Sequence, residues 1–105
     1  QYVDVRNNGT ITNLPEDSAV EVACYITADG PKPIATGELK PQINGTIQTI
    51  KTFERLVCEA AVTGNRDLAV TALNMNPLCP SDTLANVVVD ELLEAHKEYL
   101  PQFFK

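Results

Sequence analysis

From Ala19 to Thr27 apolar and polar residues alternate, with Val20, Val22, Cys24 and Ile26 on one side and Glu21, Tyr25 and Thr27 on the other. A period of two is that of a strand with one buried face. Tyr2 to Val5 is a shorter β-prone run, and Asn7-Asn8-Gly9 supplies the positive-φ residues of a tight turn before Ile11. Leu14-Pro15-Glu16-Asp17 then interrupts the pattern. Asp29-Gly30-Pro31-Lys32-Pro33 predicts a turn whose prolines exclude helix, and Ile34-Ala35-Thr36 is expected to return as a short strand and complete a hairpin.

The period changes in the second half. Between Ile43 and Thr63 the apolar positions Ile43, Ile47, Ile50, Val57 and Ala61 step mostly by three or four, with Phe53 bridging the long gap. That spacing predicts an amphipathic helix. Gly64 stops it and Asn65 can cap the next, Arg66 to Met75, whose stripe is Leu68, Ala69, Ala72 and Leu73 and whose end is Asn76-Pro77. Ser81 caps a third helix, with Asp82 well placed against the helix dipole. Its expected core face is Leu84, Val88, Leu92, Ala95 and Tyr99, with Pro101 as terminator. The fold class is α+β: N-terminal strands with a β-hairpin, followed by three helices.

With 105 residues the chain has room for one domain. Eight Lys and Arg against 14 Asp and Glu leave a formal charge of −6, which repels phosphate backbones and anionic lipid and so argues against nucleic acid and membrane surfaces as partners. No apolar run approaches the ~20 residues of a membrane span. Gln1-Tyr2-Val3-Asp4-Val5 opens in mid-pattern, without an initiator Met or a secretory signal, so the chain is expected to be cut from something longer.

Candidate chemistry is sparse. Cys24, Cys58 and Cys79 are odd in number and lack the close spacing of a metal site, and they read as reduced thiols in a cytoplasmic protein. Cys24 and Cys58, among apolar neighbours, are expected to be buried as small hydrophobes. The only histidine, His96, has no ligand-type residue four positions on. Glu91, Glu94 and Glu98 with Lys97 make a solvated helix face, and Glu54, Arg55 and Glu59 take the same reading, with an Arg55–Glu59 surface pair. The triplets Asn8-Gly9-Thr10 and Asn44-Gly45-Thr46 read as turn or helix-start chemistry. Arg6-Asn7-Asn8 either faces a ligand or forms a hairpin tip in solvent, the second being the expectation. No residue is assigned a catalytic, cofactor-binding or metal-binding role.

The order of motifs carries more. Asn7-Asn8-Gly9-Thr10-Ile11-Thr12-Asn13-Leu14-Pro15-Glu16-Asp17, then Glu59-Ala60-Ala61-Val62-Thr63-Gly64-Asn65-Arg66, then Asn76-Pro77-Leu78, then Leu93-Glu94-Ala95-His96-Lys97-Glu98-Tyr99-Leu100-Pro101-Gln102-Phe103 resemble, in that order, blocks of family 4 glycoside hydrolases. Gly30-Pro31-Lys32-Pro33-Ile34 and Ile50-Lys51-Thr52-Phe53-Glu54-Arg55 look most like the 6-phospho-β-glucosidases among them. One departure is Ala23 before Cys24, where many members have proline.

The resemblance implies a glycosidase outside the two-carboxylate scheme, one that uses NAD and a divalent metal, usually manganese. In that chemistry the sugar's C3 hydroxyl is oxidised, the proton on C2 is removed, the aglycone leaves by elimination, water adds and the ketone is reduced. The implied fold is the C-terminal part of a lactate/malate dehydrogenase-like C-terminal domain. The family's dinucleotide fingerprint, metal ligands and catalytic base all lie upstream of the matched blocks, so Cys24, Cys58, Cys79 and His96 inherit no ligand role. The chain is therefore expected to be a C-terminal piece lacking the dinucleotide-binding domain, inactive alone. Its parent would act on a phosphorylated disaccharide, and the piece itself would self-associate as a dimer through surfaces left uncovered. The alternative is a free-standing, non-enzymatic α/β protein-interaction module.

Overall fold

A computed structural model describes residues 1–105. The element order is β1 (Tyr2–Arg6), β2 (Ala19–Thr27), β3 (Gly30–Pro33), α1 (Pro41–Thr63), α2 (Arg66–Met75) and α3 (Asp82–Ala95), followed by 3-10 turns at Lys97–Tyr99 and Pro101–Phe104. The α+β class and the three expected helices are present. The chain forms two compact units, Gln1–Gly45 and Thr46–Lys105, the boundary falling within α1.

In the first unit the strands form an antiparallel sheet in the order β1-β2-β3. Val3 pairs with Val22 and Val5 with Val20, and Val20, Val22 and Cys24 are buried as the alternation requires. Ile26, expected on the same face, is 56% exposed. The β1 pairing ends at Tyr2↔Ala23, so Ile26 lies beyond the strand that shields its neighbours.

The hairpin also differs from expectation. The prolines expected in the turn belong to the strand: Pro33 pairs with Cys24 and Pro31 with Ile26, while Ile34–Thr36 lies outside it. Ile34 N–H donates to the Ala23 carbonyl at 2.9 Å. By the alternation of an antiparallel ladder, the N–H groups turned toward β2 are then those of Ile34, Lys32 and Gly30. The prolines occupy the intervening, outward-turned positions, where a missing N–H breaks no bond to β2.

The second unit is helical. Gly64 (φ 70°) closes α1, its N–H donating to Ala60 at 2.8 Å, and the Asn65 side chain caps α2 by accepting from Leu68 N–H. Ser81 caps α3 in the same way through Leu84 N–H at 3.2 Å. Between α2 and α3 lies a core of Val70, Ala85 and Val89, with Ala69, Leu73, Cys79 and Leu93 packed against it.

The buried face of α3 is thus offset by one residue from the expected stripe, since Leu84 and Leu92 are 42% and 52% exposed. Ala85 is fully buried and Ala69 packs against the same core, and small side chains at the seam allow the two helices to approach closely. Helix α3 ends at Ala95, ahead of the expected stop at Pro101: His96 leaves helical geometry (φ −110°, ψ 18°), and Pro101 opens the last 3-10 turn. That turn packs on the end of α1, where Gln102 Nε2 donates to the Ala61 carbonyl at 2.7 Å.

Candidate functional site

The turn after β1 is the most constrained polar feature of the first unit. Asn7 is fully buried. Its Nδ2 donates to the carbonyls of Ile11, Leu14 and Pro15 at 2.9, 3.0 and 3.1 Å, and its Oδ1 accepts from Ile11 N–H at 2.7 Å. One donor on the oxygen side and three acceptors on the nitrogen side fix the orientation of the amide. Asn7 is therefore not part of a solvent-exposed tip, which corrects the expectation at this one residue, whereas Arg6 and Asn8 are exposed as expected. It is an internal clasp that shapes residues 7–15. Arg6 lies outside the clasp, its Nε 3.4 Å from the Glu16 carbonyl, and Asn8 is exposed with φ 42°. A buried asparagine in the Asn7-Asn8-Gly9 turn carries no hydropathy signal, so the pattern of apolar positions could not reveal it.

A second clasp joins the loop before α1 to its first turns. Asn13 Nδ2 donates to Asn44 Oδ1 at 3.2 Å, and Asn13 Oδ1 accepts from Leu39 N–H at 3.0 Å. Asn44-Gly45-Thr46 accordingly lies within the start of the helix, while Asn8-Gly9 forms a turn.

In the second unit, Arg66 at the start of α2 reaches α3. Its Nε donates to Asp90 Oδ1 at 2.6 Å, and one terminal nitrogen donates to Asp90 Oδ2 at 2.9 Å and Asn86 Oδ1 at 3.1 Å. This forked geometry holds the Asp90 carboxyl below the usual carboxylate range and raises the guanidinium, chiefly through the hydrogen bonds between them. The pair is a fastening between two helices separated by a turn, and nothing in the local spacing of Arg66 and Asp90 announces it. Lys97 pairs with Glu94 at 3.4 Å on the solvated face of α3, as expected there.

The second unit also carries a groove of about 230 Å³, lined by Phe53, Val57, Leu73, Leu92, Leu100 and Phe103 among others. Its lining is apolar throughout, which suits hydrocarbon and offers nothing to a sugar hydroxyl or a phosphate. The thiols are free: Cys24 is buried, Cys79 is half-buried, and Cys58, expected in the core, is exposed. Cys58 stands about 200° around α1 from the buried Ala60 at 100° per residue, hence on the opposite face. His96 Nδ1 lies 2.8 Å from the Leu92 carbonyl, at the exposed end of α3.

These residues assemble no site of their own for a divalent metal. No group of three or more His, Cys, Asp or Glu side chains is placed to hold a metal ion. The N-termini of α2 and α3, the natural seats for a pyrophosphate, are capped by Asn65 and Ser81. No helix is long and apolar enough to cross a membrane.

The chain can be set beside known proteins on this geometry. It is 57% identical over 104 residues to a probable 6-phospho-beta-glucosidase of Bacillus subtilis, covering 99% of this chain and 24% of that protein. It is 38% identical to the 6-phospho-beta-glucosidase of Escherichia coli, covering 97% of this chain and 23% of that one. Among solved structures, a 6-phospho-alpha-glucosidase from gut microorganisms in complex with NAD and glucose-6-phosphate superposes with a TM-score of 0.92 at 36% identity, covering 97% of this chain and 23% of that one. The 6-phospho-beta glucosidase of Thermotoga maritima with manganese, NAD+ and glucose-6-phosphate gives 0.84 at 35% identity, covering 95% and 25%. The chain thus spans about a quarter of the length of these relatives. Residues 1–79 match the family model for the C-terminal domain of family 4 glycosyl hydrolases, and the chain belongs to that family.

Proposed function

We propose that these residues form the C-terminal part of a longer enzyme that hydrolyses 6-phospho-β-glucosides with the aid of NAD and a divalent metal, manganese, both held by residues outside this chain. The observation that carries the reading is the 57% identity to a probable 6-phospho-beta-glucosidase over nearly every residue here, whereas the other β- and α-type relatives lie at 38%, 36% and 35%. Backbone likeness does not separate the two, since the α-type structure superposes at least as well. The role of this chain is architectural: the clasps of Asn7 and Asn13 stiffen the first unit, the α2–α3 seam stiffens the second, and no residue of either takes part in chemistry. The phosphorylated substrate and free thiols accord with a cytoplasmic enzyme. Cut loose, the chain self-associates, because the groove is apolar and Val57 and Leu92 of its lining stand 41% and 52% exposed.

Nitrophenol release from p-nitrophenyl 6-phospho-β-glucoside tests the proposal. The intact native polypeptide turns over only with NAD and manganese together, and the 105-residue chain does not turn over at all. Turnover by the short chain, or equal turnover of the unphosphorylated glucoside, overturns the reading. Faster turnover of the α-anomer overturns the β assignment alone. Sedimentation of the short chain as a monomer at every concentration removes the self-association.

A further inference from the structure

We propose that Asn8 is a site of spontaneous covalent modification, at which the side-chain amide is lost to the backbone nitrogen of Gly9. Asn8 and Gly9 are both exposed. The Asn8 backbone N–H is engaged with the Glu16 carbonyl at 3.0 Å, but no hydrogen bond holds the Asn8 side-chain amide or the Gly9 N–H. Nothing lies within 4 Å of the place a Cβ would occupy on Gly9, so no packed neighbour holds the turn rigid on that side.

The step balances with water alone. Gly9 N gives its proton to solvent and attacks Asn8 Cγ; a C–N bond forms, the bond to the amide nitrogen breaks, and ammonia leaves with a proton from water. The resulting five-membered imide is opened by water. Attack at the main-chain carbonyl gives isoaspartate, with the backbone rerouted through Cγ, and attack at Cγ gives aspartate. No oxidation state changes.

The chain holds its own control. Asn44-Gly45 is the same dipeptide, but Asn44 Oδ1 accepts from Asn13, Asn44 N–H donates to the Lys40 carbonyl at 3.0 Å, and Gly45 lies hydrogen-bonded within α1. Reaction there requires the helix to open first. Isoaspartate at residue 8 adds a methylene to a loop whose backbone makes bonds of 2.8 Å from Asn7 N–H to Ser18 and from Thr10 N–H to Asn7. The modification therefore loosens the anchorage of the Asn7 clasp.

The experiment ages the intact native polypeptide at neutral and mildly alkaline pH, maps its peptides by mass, and labels isoaspartate with an isoaspartyl methyltransferase. Conversion at Asn8 is expected to exceed that at Asn44 by about tenfold or more, because only Asn44 waits on local opening. It rises with pH, and in denaturant the two sites converge. The N8G variant keeps the left-handed turn, loses the labelled peptide and leaves the Asn44 peptide as it was. Equal rates at the two sites in the folded protein overturn the proposal. So does an unmodified Asn8 under conditions that convert it in the denatured chain.

Discussion

Replacing Asn7 with alanine removes every bond of the clasp while leaving the Cβ in place. Two buried groups are then stranded. Ile11 N–H loses its acceptor at 2.7 Å, and the Leu14 carbonyl loses its donor at 3.0 Å. The Ile11 carbonyl keeps a backbone partner in Leu14 N–H at 3.3 Å, and Pro15 is exposed and can turn to water. At about 1–3 kcal/mol for each stranded group, the expected loss is about 3 kcal/mol. That is a large share of the ~5–15 kcal/mol that holds a domain together.

Residue-resolved hydrogen exchange at Asn7, Asn8 and Ile11 reads this locally and is indifferent to how many units unfold together. A loss of about 3 kcal/mol accelerates exchange on the order of 100-fold. Asn7→Asp sharpens the test, because it preserves shape and the bond to Ile11 N–H but turns a carboxylate oxygen toward three carbonyls. Such a site raises the carboxyl's folded pKa above its ordinary value near ~3.9. The folded state then binds the extra proton, so stability falls as pH rises from the ordinary value through the raised one. The Asn7→Asp deficit is expected to be small in acid and to exceed that of alanine at neutral pH. Exchange in Asn7→Ala within about threefold of the parent, or an Asn7→Asp deficit independent of pH, refutes the reasoning.

Other outcomes follow from the same geometry. Gly64→Ala places a Cβ 2.5 Å from the Gln102 carbonyl carbon at φ 70°, whereas Gly37→Ala at φ 78° meets nothing within 4 Å. Thermal unfolding is expected to show a cost of about 1 kcal/mol for Gly37→Ala and a clearly larger one for Gly64→Ala, since only the latter must also displace backbone. Val89→Ala is expected to cost about 2 kcal/mol and Leu84→Ala under about 1 kcal/mol; the reverse order would restore the stripe read from hydropathy. Asp90→Asn lowers the thermal midpoint at neutral pH and low salt. With the Asp90 carboxyl held below its ordinary value, that contribution is present above the ordinary value and is lost as pH falls through the lowered one. The gap between variant and parent therefore closes toward acid, and it shrinks in salt because both side chains are substantially exposed.

What the sequence revealed and what it concealed divide along a physical line. Element types and ends set by local chemistry were legible: the period of two in Ala19–Thr27, the Gly64 stop, and the caps at Asn65 and Ser81 all stand as read. Properties set by a distant partner were not. The seam of α3 follows Ala85 and Val89 because α2 presents Val70 there, flanked by Ala69 and Leu73, and alanine carries little weight in a hydropathy stripe. Cys58 has apolar neighbours in sequence but faces away from Ala60. Asn7 is polar, buried and fully bonded, a state that composition cannot distinguish from a solvated turn. The functional site posed a different difficulty. The resemblance in motif order pointed to the family, while the residues themselves offered no ligand set, and the structure brings none together.

The prolines of β3 set a direction on the sheet. An added strand would draw its bonds from the outward N–H groups of its neighbour, and at positions 31 and 33 there are none to give. That border is blunted by covalent structure rather than by a covering element, since only its outward carbonyls remain to bond a neighbour. Growth of the sheet is left to the β1 border, where Asp4 and Arg6 alternate with valines in an ordinary strand. A strand contributed by the rest of a longer polypeptide would find its full set of donors on the β1 side, which makes that side the favoured entrance for building this sheet into a larger one.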